Sequence, residues 1–257
     1  MNKRLTTKSI MALLVAVLAG CTSTGGTRIY SEQISEDTKA AEINMQLGVN
    51  YMQRGDYEVA LVKLQRSLQQ DPNLPSAHNT IGVLYQRLGE VDKAEHHFKE
   101  AVERAPDYSE AQNNYGVFLC QQKRYKEAEQ RFLQAIKNPL YNNADQAIEN
   151  AGICVGLIPD STLAEEYFRK ALQINPNLSK SLFQMAELSY RNIEYDQANA
   201  YLERYQAVSQ WTPQALLLAI KLAEKKGDQD AIASYSLIMR ARFPDSDEAR
   251  QVAKGQY

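Results

Sequence analysis

The feature that most constrains this chain is a period of 34 residues that runs through most of its 257 positions. It is clearest over residues 75–108. There Ile81, Gly82 and Tyr85 are followed by Ala94, Phe98, Ala101 and Pro106. The first three lie at spacings of one and three, and the next three recur every four and three. Each set therefore falls on one face of a helix. Gly89 stands between the two helices, where a C-cap favours a residue with positive φ. Pro106 stops the second helix. Gly82 and Ala94 are small, as close backbone approach in a tight hairpin requires. One period therefore encodes one helical hairpin.

The skeleton repeats in both directions. Thirty-four residues back it reads Leu47, Gly48, Tyr51, Ala60, Leu64, Ser67 and Pro72. Forward it reads Tyr115, Gly116, Leu119, Ala128, Phe132 and Ala135, with Pro139 one place early. After two inserted residues the frame resumes as Ala151, Gly152, Val155, Ala164, Phe168, Ala171 and Pro176. A weaker fifth copy keeps Met185, Ala186, Ser189, Ala198, Leu202 and Tyr205. A sixth, from Pro213, keeps Gly227, Ala231 and Tyr235 with one residue fewer between its helices. This is the tetratricopeptide pattern. It predicts an all-α, right-handed superhelix of about six hairpins, at residues 41–74, 75–108, 109–144, 145–178, 179–212 and 213–245. With 44% apolar residues, such an array buries its core between neighbouring hairpins rather than at one centre.

Residues 1–20 stand outside that frame. Lys3, Arg4 and Lys8 precede an apolar run at 10–19, too short to span a bilayer and laid out as a secretory signal. Leu18-Ala19-Gly20-Cys21 resembles a bacterial lipobox, in which Cys21 becomes the lipidated first residue of the mature chain. The alternative is an ordinary signal with an incidental cysteine. Thr22, where an aspartate favours inner-membrane retention, implies the outer membrane. One acyl chain holds a protein only marginally, whereas the three chains of a lipobox cysteine, palmitate among them, make a stable anchor. Residues 21–40 read as a flexible tether and 41–257 as the repeat domain. Without residues 1–20 the chain has 26 basic and 31 acidic residues, a net charge of −5. A mildly acidic body with no basic cluster points away from nucleic acid and from a second, electrostatic membrane contact.

No catalytic constellation stands out. The three histidines are His78, His96 and His97, and the last two project about 100° apart on a helix. With no cysteine or histidine at ligand spacing nearby, no metal site is expected. His78 reads as a surface or inter-helix residue. No glycine loop cradles a phosphate, so no enzyme activity, cofactor or small-molecule substrate is expected. Beyond Cys21, the cysteines are Cys120 and Cys154, 34 residues apart on first helices of adjacent repeats. The residues alone leave open a disulfide, a reactive thiol or two buried unbonded thiols.

In tetratricopeptide arrays the first helices line the concave face, through repeat positions five, nine and twelve. Position nine reads Val49, Val83, Val117 and Ile153; position five reads Met45, Asn79, Asn113 and Glu149; position twelve reads Met52, Gln86 and Cys120. An apolar floor flanked by amides suits an extended or helical peptide. It lacks a Lys/Arg pair for a terminal carboxylate. The candidate partner-binding groove is Met45, Val49, Met52, Asn79, Val83, Gln86, Asn113 and Val117, with packing between helices as the competing role of the valines.

Particular stretches resemble one family. Asn113-Asn114-Tyr115-Gly116-Val117-Phe118-Leu119, then Gln122-Lys123-Arg124-Tyr125 and Glu127-Ala128, are similar to the type IV pilus biogenesis lipoproteins of the PilF/PilW family. So are Leu140-Tyr141, Glu149-Asn150-Ala151-Gly152 and the two-residue insertion before them. Gln46-Leu47-Gly48 with Gln53-Arg54-Gly55-Asp56-Tyr57, and Ala215-Leu216-Leu217-Leu218 with Ala233-Ser234-Tyr235, match as well. The resemblance spans about residues 41–243, and the sixth repeat departs most from the repeat pattern. It implies a pilotin, a lipid-anchored protein that helps the pilus secretin reach the outer membrane and multimerise there. It also implies a bridge between Cys120 and Cys154, since some members carry such a pair. The alternative is a lipid-anchored scaffold for cell-wall synthesis or outer-membrane protein insertion.

Overall fold

The protein is seen in a computed structural model that describes residues 36–159 and 162–255. The signal at 1–20, Cys21 and the tether as far as residue 35 lie outside the described residues. Thirteen helices, and no strand among the described residues, form six hairpins and a closing segment. The hairpins are α1 (Glu36–Arg54) with α2 (Tyr57–Gln70), α3 (Pro75–Arg87) with α4 (Val91–Arg104), and α5 (Ser109–Gln121) with α6 (Tyr125–Ala135). They continue as α7 (Ala144–Val155) with α8 (Leu163–Ile174), α9 (Ser179–Arg191) with α10 (Tyr195–Val208), and α11 (Pro213–Lys226) with α12 (Gln229–Arg242). The short α13 (Asp247–Ala253) ends the series.

Hairpins two, three and four close with a glycine on the first helix facing a phenylalanine ring on the second, and in hairpin one Gly48 faces Leu64. A Cβ on Gly82 would stand 2.9 Å from the Phe98 ring, and one on Gly116 would stand 2.7 Å from Phe132. Phe98, Phe132 and Phe168 are buried almost completely. The turn needs one residue in the left-handed region, and the repeat puts it at Gly55, Gly89 and Gly227, with φ of 83°, 76° and 71°. At the same repeat position Lys123 (φ 61°) and Ile193 (φ 67°) take this conformation without a glycine's freedom.

Between hairpins, Ile81, Tyr115, Ala151 and Met185 are buried. Their counterpart Leu47 is 38% exposed, because no described hairpin precedes it. Two features lie outside the repeat frame. First, α1 begins at Glu36, inside the stretch assigned to the tether, and its added turn is held by the Thr38 hydroxyl donating to Asp71 at 3.0 Å. Second, α13 packs Ala249 onto Leu216 and Met239 and so covers the last hairpin. Ser246 caps it, accepting from the Ala249 N–H.

Candidate binding surface

Successive first helices touch one another: α1 with α3, α3 with α5, α5 with α7, and α9 with α11. Second helices of neighbouring hairpins make no comparable contact among the described residues. Packing that is closer on one side bends the array toward that side, so the first helices form the inner wall. The step from α7 to α9 lacks the close approach of the others.

Along this wall Met45, Val49, Val83, Gln86, Asn113 and Val117 are half-buried, each retaining a reachable surface. Met52 and Asn79 do not belong with them. Met52 is 6% exposed and packs with Ala60, Leu64, Ile81 and Leu84 under the next hairpin. Asn79 is 3% exposed, and its carbonyl oxygen accepts from the Asn114 amide at 3.2 Å. The same use is made of the other amides. Asn150 donates to Asn113 at 3.1 Å and Gln86 donates to Gln121 at 2.7 Å. They join repeat two to three and three to four. An amide offers four hydrogen-bonding positions, so Asn113 and Gln86 keep capacity for a bound chain.

A disulfide joins Cys120 on α5 to Cys154 on α7, with Cα atoms 5.7 Å apart. It spans the junction that carries the two-residue insertion, where the register between repeats is broken. Beyond it, the Glu149 carboxylate accepts from both the N–H and the hydroxyl of Ser181 at 2.9 Å, linking α7 to α9.

The histidines pair in a way their spacing does not reveal. His78 is buried; its Nε2 donates to the Pro72 carbonyl at 3.1 Å, which leaves Nδ1 to accept from His97 Nδ1 at 3.0 Å. Burial, and then the neighbouring His78 and His96, pull the His97 pKa down to about 4. Burial also lowers that of His78. The pair is neutral at physiological pH. No group of three metal-ligating side chains assembles among the described residues.

The wall changes character in the last two repeats. Carrying the frame of Val49, Val83, Val117 and Ile153 onward reaches Glu187 and Lys221. They line a cavity of about 420 Å³ between α9 and α11 with Arg191, Leu217 and Leu218, closed on the α7 side by Gly156. Thus a basic pair does occur on the wall, on helices later than those searched for one. The same spacing rule, continued for two more periods, reaches Lys221 and Glu187, whereas Arg191 stands one turn beyond Glu187 and outside the rule.

The fold and this wall define a tetratricopeptide-repeat protein, and tetratricopeptide family models match residues 48–89, 73–139 and 160–178. The chain belongs to the PilF/PilW family of type IV pilus assembly proteins. It is 34% identical to the type IV pilus assembly protein PilF of Pseudomonas aeruginosa over 96% of this chain and 98% of that one. A solved structure of Pseudomonas aeruginosa PilF covers 86% of this chain and all of its own, at 33% identity and a TM-score of 0.81. A crystal structure of PilW, described as a widely conserved type IV pilus biogenesis factor, covers 83% of this chain and 98% of its own. Its identity is 31% and its TM-score 0.75.

Proposed function

We propose that this protein is a pilotin: a non-catalytic, lipid-anchored repeat protein that binds secretin subunits and promotes their insertion and multimerisation in the outer membrane for type IV pilus biogenesis. The observation that carries the reading is the near end-to-end similarity to a type IV pilus assembly protein. The apolar inner wall gives it a physical means. Met45, Val49 and Val83 lie on the first helices nearest the tether, and Met45 lines a shallow concavity of about 550 Å³ together with Ile43 and Gln46. Lipid on Cys21 would hold this end close to the outer membrane, where a client arrives. Side chains there would contact an extended or helical segment through apolar area, with Gln86 and Asn113 free to bond its backbone.

The test replaces Val49 and Val83 together with Glu, which sets charges on the apolar contact and should cost binding several kcal/mol. Because half-buried valines also pack between helices, a second variant places Glu at Ile43, which is 62% exposed and cannot unfold the array. Both are scored by secretin multimers in envelope fractions, with circular dichroism to verify the helices. In the same cells Cys21→Ala should leave a folded protein that no longer sediments with the outer membrane. Normal multimers in the folded groove variants would reject the wall as the secretin site. Retention of the Cys21 variant in the membrane without partners would reject the anchor.

A further inference from the structure

Glu187, Arg191 and Lys221 form a charged cluster that the apolar wall of repeats one to four has no counterpart for. Arg191 and Lys221 make no ion pair or hydrogen bond among the described residues. Glu187 receives one bond, from the Gln184 amide at 3.1 Å. Burial raises its pKa, while Arg191 and Lys221 act in the opposite direction from beyond ion-pair distance. The three groups carry a net charge of +1, in a chain whose total is −2. Its volume of about 420 Å³ lies within the range of natural ligand sites. Leu217 and Leu218 supply an apolar side.

We propose that the cavity between α9 and α11 binds an extended peptide segment bearing Asp or Glu side chains next to apolar ones. In an extended chain, residues one apart point to opposite faces and residues two apart share a face. A Leu or Val set against Leu217 and Leu218 therefore places an acidic side chain two positions on beside Arg191 and Lys221. Lys221 is half-buried and Arg191 exposed at the edge of the cavity, and each gains an ion pair it lacks in the free protein. Glu187 opposes the same ligand as a like charge and limits its affinity, which keeps exchange fast. The site is distant from the wall of repeats one and two, and its occupant need not be a secretin.

The experiment uses the full chain in detergent and fluorescence anisotropy with two short peptides, both blocked at their ends. One alternates Leu with Glu; the other replaces each Glu by Lys. The Glu peptide should bind, more weakly as salt rises, and the Lys peptide should not. Lys221→Glu and Arg191→Glu should each weaken the Glu peptide by about tenfold. Glu187→Gln, which keeps an acceptor for Gln184, should tighten it several-fold. A gain on one side of the cavity and losses on the other cannot come from unfolding. Equal or tighter binding of the Lys peptide, unchanged affinity in both charge reversals, or no binding of either peptide would overturn the proposal. So would a requirement for a free terminal carboxylate. Because no secretin is used, this result and the pilotin reading can fail separately.

Discussion

Repeats one to four and repeats five and six place opposite chemistry at the same inner-wall position. In the first region it is Val49, Val83, Val117 and Ile153, set among cross-repeat amide pairs and closed at its far end by the Cys120–Cys154 bond. In the second it is Glu187 and Lys221, and the first helices are joined there by neither amide ladder nor disulfide among the described residues. An array's stability is a sum over hairpins and the interfaces between neighbours. Each interface can therefore be made tight or permissive without disturbing the others. Here the tight interfaces carry an apolar wall and the permissive ones carry unneutralised charge.

Breaking the staple should change this contrast most. Replacing Cys120 and Cys154 together with Ser removes a bridge across 34 residues, worth about 4 kcal/mol in the chain-entropy model. In a chain of this size that is a fall in Tm of roughly 8–15 °C, read in a non-reducing thermal melt. Protection against hydrogen exchange in α5 and α7 should drop toward the level of α9 and α11. An unchanged melt would mean that packing at this junction, not the bond, separates the two regions.

Acid should shift the balance next, weakening repeat two and not repeats five and six. His97 titrates at about 4 in the folded protein and near 6.5 when unfolded, so the unfolded chain takes up the proton first. Its contribution is complete above pH 6.5 and is lost as pH falls toward 4. Glu187 has a raised folded pKa, so its burial penalty is felt at neutral pH and is relieved as pH falls. Lowering the pH from 7 to 5 should therefore loosen α3 and α4 while leaving α9 and α11 as protected as before. His97→Gln should reduce the loss in repeat two, leaving the part due to buried His78. Uniform loosening along the array, or the reverse order, would contradict this assignment.

The smallest effect is a gain. Ile193 holds φ of 67° while 72% exposed, so it bears strain with little burial to offset it. Ile193→Gly should stabilise the fifth hairpin by about 0.5–1 kcal/mol, after allowing for the added freedom of the unfolded chain. A urea titration would show the midpoint rise. A fall would mean that the isoleucine makes contacts that outweigh its backbone strain.

Much of the fold was legible because it is local. The pairing of Gly82 with Phe98, the left-handed turn at Gly89 and the arrest at Pro106 all follow from spacings of a few residues, and the period copies them. The wall was legible in part: the spacing rule names which residues face inward but not how much of each remains exposed. Met52 and Asn79 fit the rule and are nonetheless covered by the next hairpin. Lys221 was within the rule's reach two periods further on, at a weaker copy of the pattern, whereas Arg191, one turn after Glu187, lay outside it.

The sequence by itself determined the hairpins, their number and order, and the apolar run at position nine, since helix periodicity and a fixed repeat length need no knowledge of distant contacts. Only the tertiary structure decided what depends on the rotation of one hairpin against the next. That rotation engages Asn79 and Gln86 with neighbouring repeats and draws Cys120 to Cys154 across an irregular junction. It also sets α13 on the last hairpin and opens the space between α9 and α11. A small angular change at each interface moves side chains by several ångströms, and no spacing along the chain encodes that angle.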